Sequence, residues 1–132
     1  MLSTMYTTKE EIENLVASRV GESKVLDFKR MIPGHRDDRN EFINDICAFA
    51  NSEDGHLIIG MNEKRENGQK TGEYEICPIA FADNNPDSMI LTLENQIREG
   101  IEPRLPVTIT PVRQQETILA LGADTVTNHC FP

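Results

Sequence analysis

Glu22 and Asp27 lie five residues apart, at the approach to and inside a stretch of alternating apolar and charged residues. Glu63 follows just past the end of a second, strongly apolar stretch. If these stretches are neighbouring strands, three carboxylates converge. Close carboxylates repel one another unless a cation neutralises them, so a converged set points to Mg2+ or Mn2+. Such ions activate water and steady the leaving oxygen in phosphodiester cleavage. Glu22, Asp27 and Glu63 are therefore the candidate catalytic acids, with Glu22 and Asp27 as candidate metal ligands. The plainer alternative leaves these acids solvated or paired with Lys24 and Lys29.

A second chemistry comes from the one basic concentration in the chain. Lys24, Lys29, Arg30, His35, Arg36 and Arg39 cluster within about one strand and the loop after it. Together they could grip a phosphate backbone. Asp37, Asp38 and Glu41 lie close by and dilute the field, so a solvated loop of mixed charge is the competing reading. Asn51 either orients a ligand at a helix end or occupies a left-handed C-terminal position. Gly55 and Gly60 read as turn and close-packing glycines. His56 reads as a surface residue. His129 and Cys130 have no partner pair with metal-ligand spacing. No G-x-x-x-x-G-K-[ST] sequence is present, which argues against nucleotide hydrolysis. No Ser-His-Asp or Cys-His arrangement follows from spacing.

What positions these residues is one domain of 132 residues, 38 % hydrophobic and without Trp. Such a length suffices for a core of its own. Thirteen Lys and Arg stand against 22 Asp and Glu, for a net charge of −9 and a pI near 4.7. The chain lacks the broad positive field behind non-specific nucleic-acid coating, while a local patch or a nuclease site is still compatible. No stretch approaches the ~20 apolar residues of a membrane span. The opening residues do not form a secretory signal. Cys47, Cys77 and Cys130, with long unequal gaps, make neither a disulfide framework nor a zinc pattern, so a reduced, cytoplasmic setting is expected.

Thr8 with Glu11 three residues on forms a capping box, and Ile12, Leu15 and Val16 give the helix after it one apolar face, stopped at Gly21. Ser23 to Arg30 reads as a half-buried strand and Pro33-Gly34 as its stop. His35 to Asn40 reads as an exposed loop, with Asp38 and Glu41 capping a second helix whose face is Phe42, Ile43, Ile46, Cys47, Phe49 and Ala50. Leu57-Ile58-Ile59 reads as a strand buried on both sides. Asn62 to Glu73 is charged and aperiodic, a hairpin or loop, and Tyr74 to Ile79 a short strand. Asn85-Pro86-Asp87 opens a third helix with Met89, Ile90, Leu93 and Ile97 as its stripe and Gly100 as its stop. Val107 to Val112 and Ile118 to Leu121 form a terminal hairpin, with Pro111 favouring an edge. The expected class is α+β, one mixed sheet packed against about three helices.

Four stretches resemble the Schlafen AlbA-type domain family. Glu22-Ser23-Lys24-Val25-Leu26-Asp27-Phe28-Lys29 is similar to its E-S-x-x-x-E-F-K. Asp45-Ile46-Cys47-Ala48-Phe49-Ala50-Asn51-Ser52 is similar to its I-x-A-F-A-N-T, and Gly55-His56-Leu57-Ile58-Ile59-Gly60-Met61 to its G-G-x-L-x-I-G-V. Gly100-Ile101-Glu102-Pro103-Arg104-Leu105-Pro106 is similar to its I-x-P-R-I-P junction. Three departures stand out: Asp27 where Glu is usual, Asp54 in place of a Gly, and a longer, more charged loop from Glu63 to Thr71.

The resemblance implies a domain over residues 8–121, a nucleic-acid-binding regulatory role with DNA or RNA as partner, and further domains in a longer parent. It also implies catalysis at Glu22, Asp27 and a third acid near Asn62 or Glu63 in the family's nucleases, where Mg2+ or Mn2+ would be required and structured RNA the substrate. Lys24, Lys29, Arg30, Arg36 and Arg39 are the expected nucleic-acid contacts. A protein-interaction module or homodimer without nucleic-acid binding is the third expectation, and residues 122–132 are expected to form an irregular or truncated tail.

Overall fold

In the computed structural model, residues 8–23, 26–51, 55–81, 85–102, 105, 107–113 and 117–123 are described. The first helix, α1 (Lys9–Ala17), starts where the capping box requires: the Thr8 hydroxyl oxygen accepts from the Glu11 N–H at 3.2 Å. Its end comes earlier than Gly21. The Val20 N–H donates to the Leu15 carbonyl and the Arg19 N–H to the Val16 carbonyl, a Schellman closure with Arg19 left-handed at φ 53. Glycine is the usual residue there, so the end was hidden behind an arginine.

The first strand, β1 (Leu26–Lys29), is shorter than the expected run from Ser23 to Arg30. Ser23 and Leu26 exchange backbone hydrogen bonds with each other, which turns the chain before the strand begins. The second helix, α2 (Arg36–Asn51), starts at Arg36 and absorbs most of the stretch read as a loop. Asp37 and Asp38 fall in its first turn, where carboxylates favour the positive end of the helix dipole, so charge density that looked like a loop is N-terminal helix chemistry. Among the described non-glycine residues only Arg19 and Asn67 have positive φ, so Asn51, the last residue of α2, is not itself left-handed.

Strand β2 (Gly55–Ile59) pairs parallel with β1 and antiparallel with β6 (Thr117–Ala123), which pairs antiparallel with β5 (Val107–Arg113). The sheet order β1-β2-β6-β5 places β2 inside, and Leu57, Ile58 and Ile59 are each fully buried as the unbroken apolar run implied. Burying side chains of this size is worth about 1.5–3 kcal/mol each. Pro111 sits on the edge strand β5, where its missing N–H costs no ladder bond.

The sheet divides the core in two. On one side Leu57, Ile59, Leu119 and Leu121 pack against α2 and α3 (Asp87–Gly100) through Phe42, Ile46, Phe49, Leu93 and Ile97. On the other, Leu26, Phe28, Ile58, Ile118 and Ala120 pack against Ile12 and Leu15 of α1 and against Met61. Gly55 is required by close approach, because a Cβ there would lie 2.2 Å from Cγ of Phe49.

Strands β3 (Met61–Glu66) and β4 (Gln69–Ile76) form a separate two-stranded ribbon. Asn67 and Gly68, both at positive φ, make its two-residue turn. The charged stretch from Asn62 to Glu73 is thus an ordered hairpin, and Tyr74 belongs to its second strand. The class is α+β, with three helices and a mixed sheet beside the ribbon.

Candidate functional site

Alternation along β1 decides which side chains meet. Leu26 and Phe28 turn to the α1 side of the core, and Lys29 is directed to α2. Its Nζ lies 3.3 Å from Asp27 Oδ2 and 3.1 Å from Asp45 Oδ2 on α2. Strand β1 is also the sheet edge, so its outward N–H groups have no partner strand. Glu22 supplies one acceptor: its Oε2 accepts from the Phe28 N–H at 3.0 Å. The other oxygen, Oε1, accepts from the Tyr74 hydroxyl at 2.9 Å. The Tyr74 ring meets Phe28 edge to face with centroids 4.5 Å apart, and its hydroxyl also lies 3.5 Å from Glu63 Oε1. Glu63 is held from its other oxygen by the Gly72 N–H at 2.9 Å.

The Glu22 and Asp27 carboxyls are hydrogen-bonding neighbours, and their surroundings drive their proton affinities apart. Burial, the hydrogen bond to Glu22 and the charges of Glu22 and Asp45 push Asp27 up to about 7, against the pull of Lys29. Burial works against the charge of Glu22 too, but hydrogen bonds from Asp27, the Phe28 N–H and Tyr74, with Lys29 nearby, hold it below the usual carboxylate range. Burial likewise disfavours the Lys29 ammonium, yet Asp27 and Asp45 more than compensate and raise it. Burial, then the carboxylates of Glu22 and Glu63, push the Tyr74 hydroxyl well above its ordinary range.

The three expected acids are therefore brought to one edge: Glu22 touches Asp27 directly and reaches Glu63 through Tyr74. As arranged, they do not fit a divalent cation. Both oxygens of Glu22 already accept hydrogen bonds, Asp27 is paired with Lys29, and Tyr74 stands between Glu22 and Glu63. No group of three or more His, Cys, Asp or Glu side chains is placed to hold a metal ion among the described residues.

Of the expected basic contacts, Lys29 is enclosed between two carboxylates. Arg30, just past β1, and Arg36 and Arg39, in the opening of α2, are exposed, and no ion pair engages them among the described residues. Lys24 lies outside the described residues, as do Asp54, His129 and Cys130. Between the end of β1 and α2 runs a cleft of about 180 Å3 lined by Lys29, Met31, Ile32, Pro33, Asp38 and Glu41.

Two participants escaped the sequence reading. Asp45 is half-buried on α2, one turn from Phe42 and one from Phe49, and only its contact with Lys29 shows its role. Tyr74 is 52 positions from Glu22, and the sequence offers it only as the first residue of a short strand.

This is a small α+β domain with a hydrogen-bonded acid pair and a captive lysine at the free edge of its sheet. The family model for Schlafen AlbA_2 matches residues 22–127, and the chain belongs to that family. Comparison with curated proteins finds no match. Among solved structures, the chain is similar to the N-terminal domain of a DNA helicase RecG-related protein from Nitrosomonas europaea. The TM-score is 0.67 at 19 % identity, covering 94 % of this chain and 75 % of that one. It is also similar to the DIP2311 protein from Corynebacterium diphtheriae, with a TM-score of 0.51 at 18 % identity, covering 90 % of this chain and 22 % of that one. Both likenesses concern the fold. No helix among the described residues is long and apolar enough to cross a membrane.

Proposed function

We propose that the chain is a nucleic-acid-binding module whose phosphate contacts come from Arg30, Arg36 and Arg39. The observation that carries this reading is the contrast between these three exposed arginines, unpaired among the described residues, and Lys29, whose charge is already answered by Asp27 and Asp45. A guanidinium free to move presents up to five donors to phosphate oxygens. Membership of the Schlafen AlbA_2 family supports the reading, as does the fold shared with a domain of a DNA helicase RecG-related protein. The small share of the diphtheria protein that is covered suits a module working within a longer chain. The net charge of −9 makes binding local and easily screened rather than a coating of the backbone.

The test is a salt titration of binding to labelled DNA and RNA by the Arg30→Gln/Arg36→Gln/Arg39→Gln variant. Each lost phosphate contact lowers the slope of log affinity against log salt by about 0.9, so the variant should lose about 2.7. Lys9→Gln, which removes a charge paired with Glu13 on α1, serves as the control. An unchanged slope in the triple variant removes these arginines from the interface.

The gathering of Glu22, Asp27 and Glu63 at one edge favours a second reading, cleavage of structured RNA. These donors do not fit a cation as arranged. Its test is incubation with RNA in Mn2+, in Mg2+ and in EDTA. Cleavage that EDTA stops and Glu22→Gln abolishes, with binding intact, would establish it; intact RNA throughout would dismiss it.

A further inference from the structure

The β3–β4 ribbon carries a charge arrangement that folding alone does not favour. Every residue from Lys64 through Gly72 is exposed. At the ribbon's base the acids are occupied: Glu63 accepts from Gly72, Glu73 lies 3.7 Å from Arg19, and Glu75 accepts from Asn62 at 3.1 Å. At its tip stand Lys64, Arg65 and Lys70, with Glu66 the one acid between them. No ion pair engages these three cations among the described residues.

Arg65 and Lys70 are moreover direct cross-strand partners. Like charges directly opposite in an antiparallel pair destabilise it, and an anion bridging them removes the penalty. The Arg65 Nη1 donates to the Gly68 carbonyl at 3.1 Å, which lays its guanidinium along the tip. The register breaks between Glu63 and Arg65, a bulge that twists the tip away from the base, and Thr71 fixes it by donating to the Lys64 carbonyl at 2.9 Å.

Resting on the nucleic-acid reading above, we infer that the ribbon tip is a second contact site and that its ligand is duplex DNA. Lys64, Arg65 and Lys70 bind backbone phosphates while the narrow tip enters the major groove. Two strands about 4.8 Å apart fit a groove about 12 Å wide. The deep, narrow major groove of an RNA duplex does not admit them. An anionic membrane is disfavoured because no residue from Asn62 to Glu73 is apolar and could insert.

The experiment compares the full chain with its Lys64→Gln/Arg65→Gln/Lys70→Gln variant by fluorescence anisotropy. The probes are a labelled DNA duplex, an RNA duplex of the same sequence and phosphatidylserine vesicles, each across a salt series. The wild type should bind the DNA duplex more tightly than the RNA duplex. Its salt slope should exceed the variant's by about 2.7, so the affinity lost between 50 and 200 mM salt shrinks about fortyfold in the variant. The variant's Tm should hold or rise, because the opposed Arg65 and Lys70 charges are gone. Should the variant lose Tm, the charge-keeping Lys64→Arg/Arg65→Lys/Lys70→Arg variant decides: wild-type binding supports the inference and lost binding overturns it.

Equal slopes in wild type and the Gln variant overturn the ribbon site and leave the arginines near α2 untouched. Equal binding to both duplexes overturns the groove assignment. A wild type that binds neither duplex overturns the nucleic-acid reading and this inference with it, and vesicle binding in that case would move the tip to a membrane surface.

Discussion

Replacing Asp27 by Asn should flatten the dependence of stability on pH. In the folded chain Asp27 is pushed from an ordinary 3.8 up to about 7. Between those values the folded chain keeps a proton that the unfolded chain releases, so protonation favours folding. That contribution is full below 3.8, declines as pH rises and is gone above about 7. Glu22 has the opposite sign, with stability lost only as pH falls through its depressed value, so a comparison from pH 5 to pH 8 isolates Asp27. Across two pH units the undiscounted change is roughly 2.7 kcal/mol. The Asp27 side chain is 22 % exposed and close to Lys29, and solvent screening brings the expectation to about 1 kcal/mol. Asn keeps a donor toward Glu22 but cannot ionise. Urea unfolding of both proteins should show wild type losing about 1 kcal/mol relative to Asp27→Asn from pH 5 to pH 8. Parallel curves would refute the raised proton affinity of Asp27.

Other consequences follow from packing and from the hydroxyl between the acids. Gly55→Ala puts a Cβ 2.2 Å from the Phe49 ring and should cost about 3 kcal/mol, read as a Tm fall of about 10 °C. Phe42→Ala empties a fully buried site shared by α2 and the sheet and should cost about 3–5 kcal/mol in urea unfolding; a cost below about 1 kcal/mol would contradict its place in the core. Tyr74→Phe keeps the ring against Phe28 and removes the donor to Glu22, costing about 1 kcal/mol for a partly exposed charge-assisted bond. The Glu22 carboxyl should then titrate at higher pH by carbon-13 NMR, and an unmoved titration would show that the hydroxyl does not stabilise its charge.

The elements legible in the sequence are those whose signal is local. Thr8 and Glu11 announce α1, Leu57-Ile58-Ile59 announces an interior strand, Pro111 announces an edge, and Gly100 closes α3, all from a few adjacent residues. Charged stretches are less legible: His35 to Asn40 reads as a loop, and Asn62 to Glu73 as a hairpin or loop. Asp37 and Asp38 suit a helix start as well as a loop, and the tertiary choice goes to the helix. From Asn62 to Glu73 the apolar period is absent because the ribbon stands away from the core, so periodicity has nothing to report. The turn itself was readable, since Asn67-Gly68 is the residue pair a two-residue hairpin turn prefers.

The candidate site divides along the same line. The spacing of Glu22 and Asp27, with Glu63 beyond the next strand, was visible and the three do converge. What spacing could not show is the reason. β1 is an edge strand, so the Phe28 N–H needs an acceptor from outside the sheet, and Glu22 is drawn in to supply it. That brings one carboxylate against Asp27 and, with burial, raises the proton affinity of Asp27. Lys29 is committed in the same step, because the alternation that buries Leu26 and Phe28 on the α1 side leaves Asp27 and Lys29 to meet Asp45 across α2. Charge available to a phosphate must then come from outside this edge. That is why the exposed arginines beside α2 and the cations at the ribbon tip, rather than the lysine in the most recognisable motif, carry the binding proposals.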